Sequence, residues 1–416
     1  MSALFRYRCW VCIAAIFSCA SQAASGDFKQ KGYFESYLRA FPQTTDNDSG
    51  QAVADSRFVY EPSYTTGNKQ LTFFASLETE IDSHHQTDRD LEFSWWDRSE
   101  RRPLFSVRRL SALYRKGILT AEFGKQFIRW GKTDILNPTD RFTPKDYVSV
   151  IDTEYLAVTA ARFTVEKNAN TLDLVYVPRF TPSRAPLVDQ RWLPFPANVG
   201  NIPITTSAIY PSGSQFGIRF GRVEKNIEYS FSYFDGYNTL PIFQPQILSE
   251  VPPRVNLLRT YAKLRAGGGD FALPLRWFTV KSEAEMLSSP TAALDEYALY
   301  VVQFERQLKE WLFVGGYTGD AITRHGAPFQ FAADRGLARA VIGRAQWTID
   351  PNRNLAFEAV VRQNGQGMYG KAEYSQTFKQ HWRATVSMVG IGGSSTDFLG
   401  QYHHNSFGSI VLRYSF

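Results

Sequence analysis

SFGSIVLRYSF, residues 406–416, ends the chain, and its reading decides the fold. Ile410, Leu412, Tyr414 and Phe416 fall on one side of an extended backbone, with Ser409, Val411, Arg413 and Ser415 on the other. Side chains alternate across a strand, so the stretch predicts a strand with one apolar face and one largely polar face. A last strand of a soluble sheet has that pattern too. It does not explain why the same alternation recurs along the chain.

In QLTFFASLETEI (70–81), Leu71, Phe73, Ala75 and Leu77 oppose Thr72, Ser76, Glu78 and Glu80. SQFGIRFG (214–221) sets Phe216, Ile218 and Phe220 against Gln215 and Arg219, and NIEYSFSYF (226–234) sets Tyr229, Phe231 and Tyr233 against Glu228, Ser230 and Ser232. LLRTYAKLRA (257–266) reads as one strand with Arg259, Lys263 and Arg265 on its polar face. RWFTVKSEAEM (276–286) and HWRATVSMVG (381–390) repeat the pattern. The polar faces carry charges, and the apolar faces begin or end in aromatics. A transmembrane β-barrel, with lipid outside, water inside and aromatic girdles at both interfaces, requires both features. A chain ending in Phe416 after alternating apolar residues also resembles the terminal signal of bacterial outer-membrane barrels, which implies delivery to the barrel-assembly machinery.

The other end agrees. Arg6 and Arg8 precede the apolar run Cys9–Phe17, and Ser21-Gln22-Ala23 offers small residues for cleavage, so residues 1–23 read as a secretory signal. A lipoprotein signal through Cys19 fits less well because Phe17 precedes it. The three cysteines, Cys9, Cys12 and Cys19, all fall in this segment, leaving a mature chain, 24–416, with no disulfide or thiolate site. No stretch reaches the ~20 apolar residues of a membrane helix. Net charge is +6, or about +4 without Arg6 and Arg8, too mild and too evenly spread for a nucleic-acid partner.

Short polar links, Arg115-Lys116-Gly117, Glu224-Lys225-Asn226, Gly267-Gly268-Gly269 and Asp350-Pro351-Asn352, alternate with long irregular ones near 131–153, 182–212, 235–255, 319–335 and 392–404. That asymmetry predicts an antiparallel outer-membrane barrel of a Gram-negative cell, with short periplasmic turns and long extracellular loops. About seventeen strands can be read, and 83–100 offers one more. Single-chain barrels have even strand numbers, so 18 is expected, with 16 next.

GKQFIRWGKTDILNPTD (124–140) begins as a strand and ends in turn formers. Ile118–Trp130 reads as a strand that carries Trp130 to the far interface. Asn137-Pro138-Thr139-Asp140 and Thr143-Pro144-Lys145-Asp146 then make a stiff loop, because proline fixes φ while Asn, Asp and Thr cap backbone groups. Such a loop can fold inward, which makes Asp134, Asn137, Asp140 and Asp146 candidates for a constriction. The three aspartates, six residues apart, could also ligate a divalent cation, but capping needs nothing else and is preferred. Alternation puts Lys125 on the lipid face, which calls for a bulge near Gly124 or a place at the rim. The runs Gly124-Lys125-Gln126, Trp130-Gly131-Lys132-x-Asp134 and Asn137-Pro138-x-Asp140 resemble the signature of a poorly characterised bacterial outer-membrane porin-like family. The resemblance implies an outer-membrane barrel serving a periplasmic transport or export system.

The pore-lining candidates are Glu122, Gln126, Arg219, Arg259, Lys263, Arg265, Lys281, Glu283, Arg344, Arg383 and Arg413. Arg259, Lys263 and Arg265 predict a basic stripe; salt bridges between neighbouring strands are the alternative. No nucleotide, zinc or phosphate motif occurs, and no catalytic residue, metal or cofactor is expected. The expectation is a porin-like channel for small polar or amphipathic solutes. A barrel enzyme using His84, His85, His403 or His404 is one alternative. A plugged barrel that binds partners through loops such as Arg191–Pro196 is the other.

Overall fold

A computed structural model describes residues 26–91, 93–193, 202–327 and 331–416. The signal segment and part of the 191–196 run lie outside them. The first strands are β1 (Asp27–Ala40), β2 (Ala52–Thr65), β3 (Leu71–Asp82), β4 (Phe105–Lys116), β5 (Leu119–Gln126) and β6 (Val158–Lys167). Next come β7 (Asn170–Val177), β8 (Gln215–Val223), β9 (Glu228–Tyr237), β10 (Lys263–Pro274), β11 (Thr279–Ser288) and β12 (Glu296–Leu308). The last six are β13 (Trp311–Arg324), β14 (Ala340–Asp350), β15 (Arg353–Arg362), β16 (Gly367–Phe378), β17 (Trp382–Gly393) and β18 (Phe407–Ser415). Each pairs antiparallel with its chain neighbours and β18 returns to β1, closing an 18-strand barrel. Closure leaves no unpaired edge in the hydrocarbon. At the seam Phe416 exchanges two backbone hydrogen bonds of 3.0 Å with Gly32, and its ring stacks on Phe58.

The outer wall is apolar and open: Phe34, Phe73, Phe123, Phe231 and Ile410 are exposed, and Met388 is 71 % exposed. Bare in water, such a surface would forfeit ~25 cal/mol per Å² of apolar area; against lipid it costs nothing. Near the short turns Trp311 stacks on Trp347 at 5.5 Å and Trp382 meets Tyr414 at 5.0 Å, forming an interfacial girdle. The turns on that side are short, such as Gly117-Ile118, 309–310 and 351–352. On the other side the loops are mostly long: 83–104, 127–157, 178–214, 238–262 and 394–406.

Four local readings are corrected. Gly267-Gly268-Gly269 is not a turn but the middle of β10, paired with both β9 and β11. Residues 257–266 are not one strand: Pro253–Thr260 belongs to a small loop sheet, and the chain breaks at Tyr261-Ala262 before β10 begins. Parity is not carried across that break, so the faces of Lys263 and Arg265 invert. The 83–100 segment adds no membrane strand, only Phe93–Ser94 beside Phe105–Ser106. Finally, β5 stops at Gln126, not Trp130.

The early end of β5 is compensated. Beyond Gln126 the upper edge of β4 has no partner from β5, and Phe93–Ser94 runs alongside it. The Trp95 indole N–H then reaches Thr159 Oγ1 on β6 at 3.1 Å. Lys125 Nζ ties this wedge down through Trp95 O (2.7 Å) and the Asp97 carboxylate (2.5 Å), so an ammonium on the lipid-side parity is covered and paired. Gly124 has φ of +118°, and a Cβ there would meet Leu110 O at 2.3 Å; the strand bends at the glycine, and Lys125 sits at the rim.

Candidate functional site

The loop 127–157 enters the barrel. Ile128, Trp130 and Phe142 are buried against inward residues of β6, β7 and β9–β12, among them Val158, Val175, Phe234, Leu264 and Leu299. Trp130 is 3 % exposed, its ring edge-on to Phe142 and its N–H donating to Asp173 Oδ2 at 2.9 Å. The interface position expected for Trp130 is therefore replaced by a lumen position, because the chain turns inward four residues before it. Burying each such side chain is worth about 1.5–3 kcal/mol. The loop is a fixed partition that fills the apolar half of the lumen.

Polar anchors hold its tip. On β11, Glu283 accepts from Thr133 N–H (2.7 Å), Thr133 Oγ1 and Thr139 Oγ1 (3.0 Å each), and also from Lys132 N–H. Asp134 Oδ2 accepts from Gln303 Nε2 (2.6 Å) on β12 and lies 3.2 Å from Lys281 Nζ. Arg141 pairs with Glu285. Asn137 Nδ2 donates to Thr133 O, and Asp140 Oδ1 caps Trp130 N–H (2.5 Å) and Gly131 N–H (2.7 Å).

The far end of the loop meets the opposite wall. Glu154 pairs with Arg57 on β2 and with Arg108 on β4 at 3.2 Å. Burial alone would raise the Glu154 pKa, but Arg57 and Arg108 outweigh it and hold the carboxyl low. Asp152 accepts from Tyr37 Oη (3.2 Å) and pairs with Arg39 (3.3 Å). Asp146 lies between Arg184 (2.5 Å) and Arg102 (3.0 Å); those two charges overcome its burial and keep it well below the usual carboxylate range. The three aspartates thus have separate partners.

Between this loop and the inner faces of β16–β18 and β1–β4 lies a cavity of ≈ 460 Å³. Its wall is built of ion pairs. Arg413 pairs with Glu35 (2.6 Å), Arg108 with Glu78 (3.2 Å), Arg102 with Glu80 (3.0 Å) and Lys371 with Glu373 (2.9 Å). Beyond the loop tip a second cavity of ≈ 200 Å³ is lined by Asp134, Lys281 and Arg344.

Of the pore-lining candidates, Glu122, Arg219, Lys281, Glu283, Arg344, Arg383 and Arg413 occupy inward positions. Glu122 accepts from Arg109 (2.7 Å), and Arg219 donates to Asp270 (2.9 Å). Arg383 bonds to Ser375 Oγ at 3.0 Å. Gln126 is fully buried and donates to Glu122 O and Ala160 O where the β5 ladder ends. The basic stripe does not form. Arg259 lies in the loop sheet against Glu100 (2.7 Å), while Lys263 and Arg265 share Asp235 on the outer face at the rim. Sequence reading missed Glu35, Tyr37, Arg39, Asp55 and Arg57. GYFESYLRA (32–40) and ADSRFVYE (54–61) carry the same period-two signal and could have supplied them. His403 bonds to Gly400 O in its own loop at 2.8 Å, and Ser406 Oγ accepts from Ile391 N–H of β17, so the two are turned to separate contacts.

No family model matches the sequence, and no curated protein does either. Solved structures match over nearly the whole chain. A BenF-like porin from Pseudomonas fluorescens Pf-5 is 10% identical with TM-score 0.55, covering 95% of this chain and 98% of its own. OpdQ from Pseudomonas aeruginosa is 11% identical with TM-score 0.54, covering 94% and 98%. OccAB4 from Acinetobacter baumannii is 10% identical with TM-score 0.53, covering 95% and 99%. At such identities the likeness concerns the fold, and in fold this chain is an 18-strand barrel like theirs.

Proposed function

We propose that the chain is a porin-like channel of a Gram-negative outer membrane. It passes small polar or amphipathic solutes, and the 131–153 part of the inward loop shapes the passage. One observation carries the reading: a cavity lined by charge persists inside a closed barrel whose outside is apolar. Water and polar solutes have no other route through such a layer, and the barrel supplies one. The resemblance of 124–140 to a porin-like family, and the shared fold with a BenF-like porin, support the same reading. Its surroundings would be outer-membrane lipid, with assembly through the Phe416 end and a periplasmic transport or export partner.

Refolded protein in a planar bilayer should give discrete current steps, and deletion of 131–153 should enlarge them. A barrel that inserts and stays silent, with and without that loop, would overturn the proposal.

A further inference from the structure

Resting on the channel reading, we propose that Asp55 is the docking point for small monovalent cations, ammonium groups included, and gives the cavity a preference for them. Nine carboxylates line the ≈ 460 Å³ cavity. Eight can each be assigned a different cation within 4 Å. Five of these pairs are Glu35–Arg413, Glu78–Arg108, Glu80–Arg102, Glu154–Arg57 and Glu373–Lys371. The loops add Asp97–Lys125, Asp146–Arg184 and Asp152–Arg39. Every cation on the wall is used once. Asp55 is the ninth acid and is left over.

Its position suits a docking role. Asp55 lies on β2 at the inward parity of Val53, Arg57 and Val59, directly opposite Tyr37 on β1. Among the described residues its carboxylate has no hydrogen bond and no ion pair, although Arg39, Arg57 and Arg102 all line the same cavity. Those guanidiniums are committed to Asp152, to Glu35 and Glu154, and to Glu80 and Asp146. A carboxylate taken from water without a partner is costly, and a wall otherwise built of pairs shows that partners were within reach. The missing partner is the passing solute. With the other eight acids paired, Asp55 contributes the unmatched negative field among the carboxylates lining the cavity. A cleft with low-dielectric walls focuses such a field and raises the local concentration of the opposite ion.

The test uses the full barrel in a planar bilayer under a potassium chloride gradient. The pH is mildly alkaline, well above the ordinary carboxylate range. The wild type should reverse at a potential favouring potassium. Asp55→Asn should lower the potassium-to-chloride permeability ratio by roughly an order of magnitude, the low end of what focused charge achieves. Asp55→Glu should restore it, and methylammonium should replace potassium without loss. Asp350→Asn, at the end of β14 beside the 351–352 turn and outside the cavity, controls for net charge and should leave the ratio unchanged. Current with the same reversal potential in wild type and Asp55→Asn overturns the role of Asp55 while leaving the channel standing. Absence of current in the wild type overturns both.

Discussion

Replacing Glu283 with alanine should loosen the inward loop without unfolding the barrel. The side chain is 1 % exposed and accepts from five donors of the loop, three of them backbone N–H groups. Hydrogen bonds to a charged acceptor contribute about 1.5–3 kcal/mol, and a stranded buried donor costs about 1–3 kcal/mol. Water entering the space relieves part of this, so the tip around 132–139 loses on the order of 2–5 kcal/mol. The root resists. Ile128, Trp130 and Phe142 stay buried, at about 1.5–3 kcal/mol each, and Glu154 keeps its two arginines. The tip therefore swings while the root holds. Single-channel recording should show a larger mean conductance with added open-channel noise. Trypsin should begin to cut at Lys132 in a barrel that keeps its folded gel mobility. Glu283→Gln, which retains an acceptor oxygen, should lie between. Unchanged conductance, noise and protease resistance in Glu283→Ala would refute the anchoring role.

Trp130→Ala should go further at the root, losing about 3–5 kcal/mol of ring packing and leaving Asp173 without its indole donor; conductance should exceed that of Glu283→Ala. Lys125→Met should leave the covered Asp97 carboxylate with only Arg184, 3.9 Å away, at a cost of up to about 3–5 kcal/mol, whereas Lys125→Met with Asp97→Asn should recover most of it, as urea midpoints in detergent would show. At the mouth, His84 Nε2 bonds to Asp48 Oδ2 at 2.9 Å, beside Arg191 and Asp82. The Asp48 bond raises the His84 pKa against burial, so its stabilisation is full below about 6.5 and fades as pH rises through the raised value. Burial pushes Asp48 upward, but His84, the Gly50 N–H and Arg191 together outweigh it and displace the carboxyl downward, so its share fades only as pH falls through that lowered value. Tryptic nicking at Arg191 should therefore increase from about pH 5 to about pH 8, and His84→Ala should flatten the curve.

The barrel was legible because its evidence is local. Phe73 against Glu78, or Phe231 against Ser230, fixes a face within a few residues, and the terminal Phe416 marks the seam. The site was only half legible. Arg259, Lys263 and Arg265 sit at one parity in the sequence, yet Tyr261-Ala262 breaks the strand, and no periodicity reports a break that short. Trp130 was misplaced because an indole suits an interface and a packed lumen equally well. What decides is the inward bend after Gln126, which depends on apolar residues of β6–β12 far along the chain. The alternation of 276–286 places Glu283 on the inward face, where the structure has it. That a loop 150 residues upstream would cover it is tertiary information.

The conspicuous residues of 124–140 describe an inward turn of the chain, not a solute. Gly124 supplies the left-handed φ, Lys125 fastens the wedge that closes the wall, and Gln126 satisfies two carbonyls where the ladder ends. Trp130 plugs the apolar half of the lumen. Gly131 leaves room for Asn137, whose Cβ a Gly131 side chain would meet at 2.5 Å, while Asp140 caps the backbone where the turn begins. None of these side chains lines the larger cavity. On the channel reading, selection among solutes would rest on the other residues around that cavity: the 146–157 end of the loop, and β1–β4 and β16–β18, where the sequence shows only ordinary strand alternation. Two chains sharing the 124–140 pattern would share the inward loop and its geometry while passing different cargo, and exchanging β1 and β2 between them should move selectivity and leave loop anchoring in place.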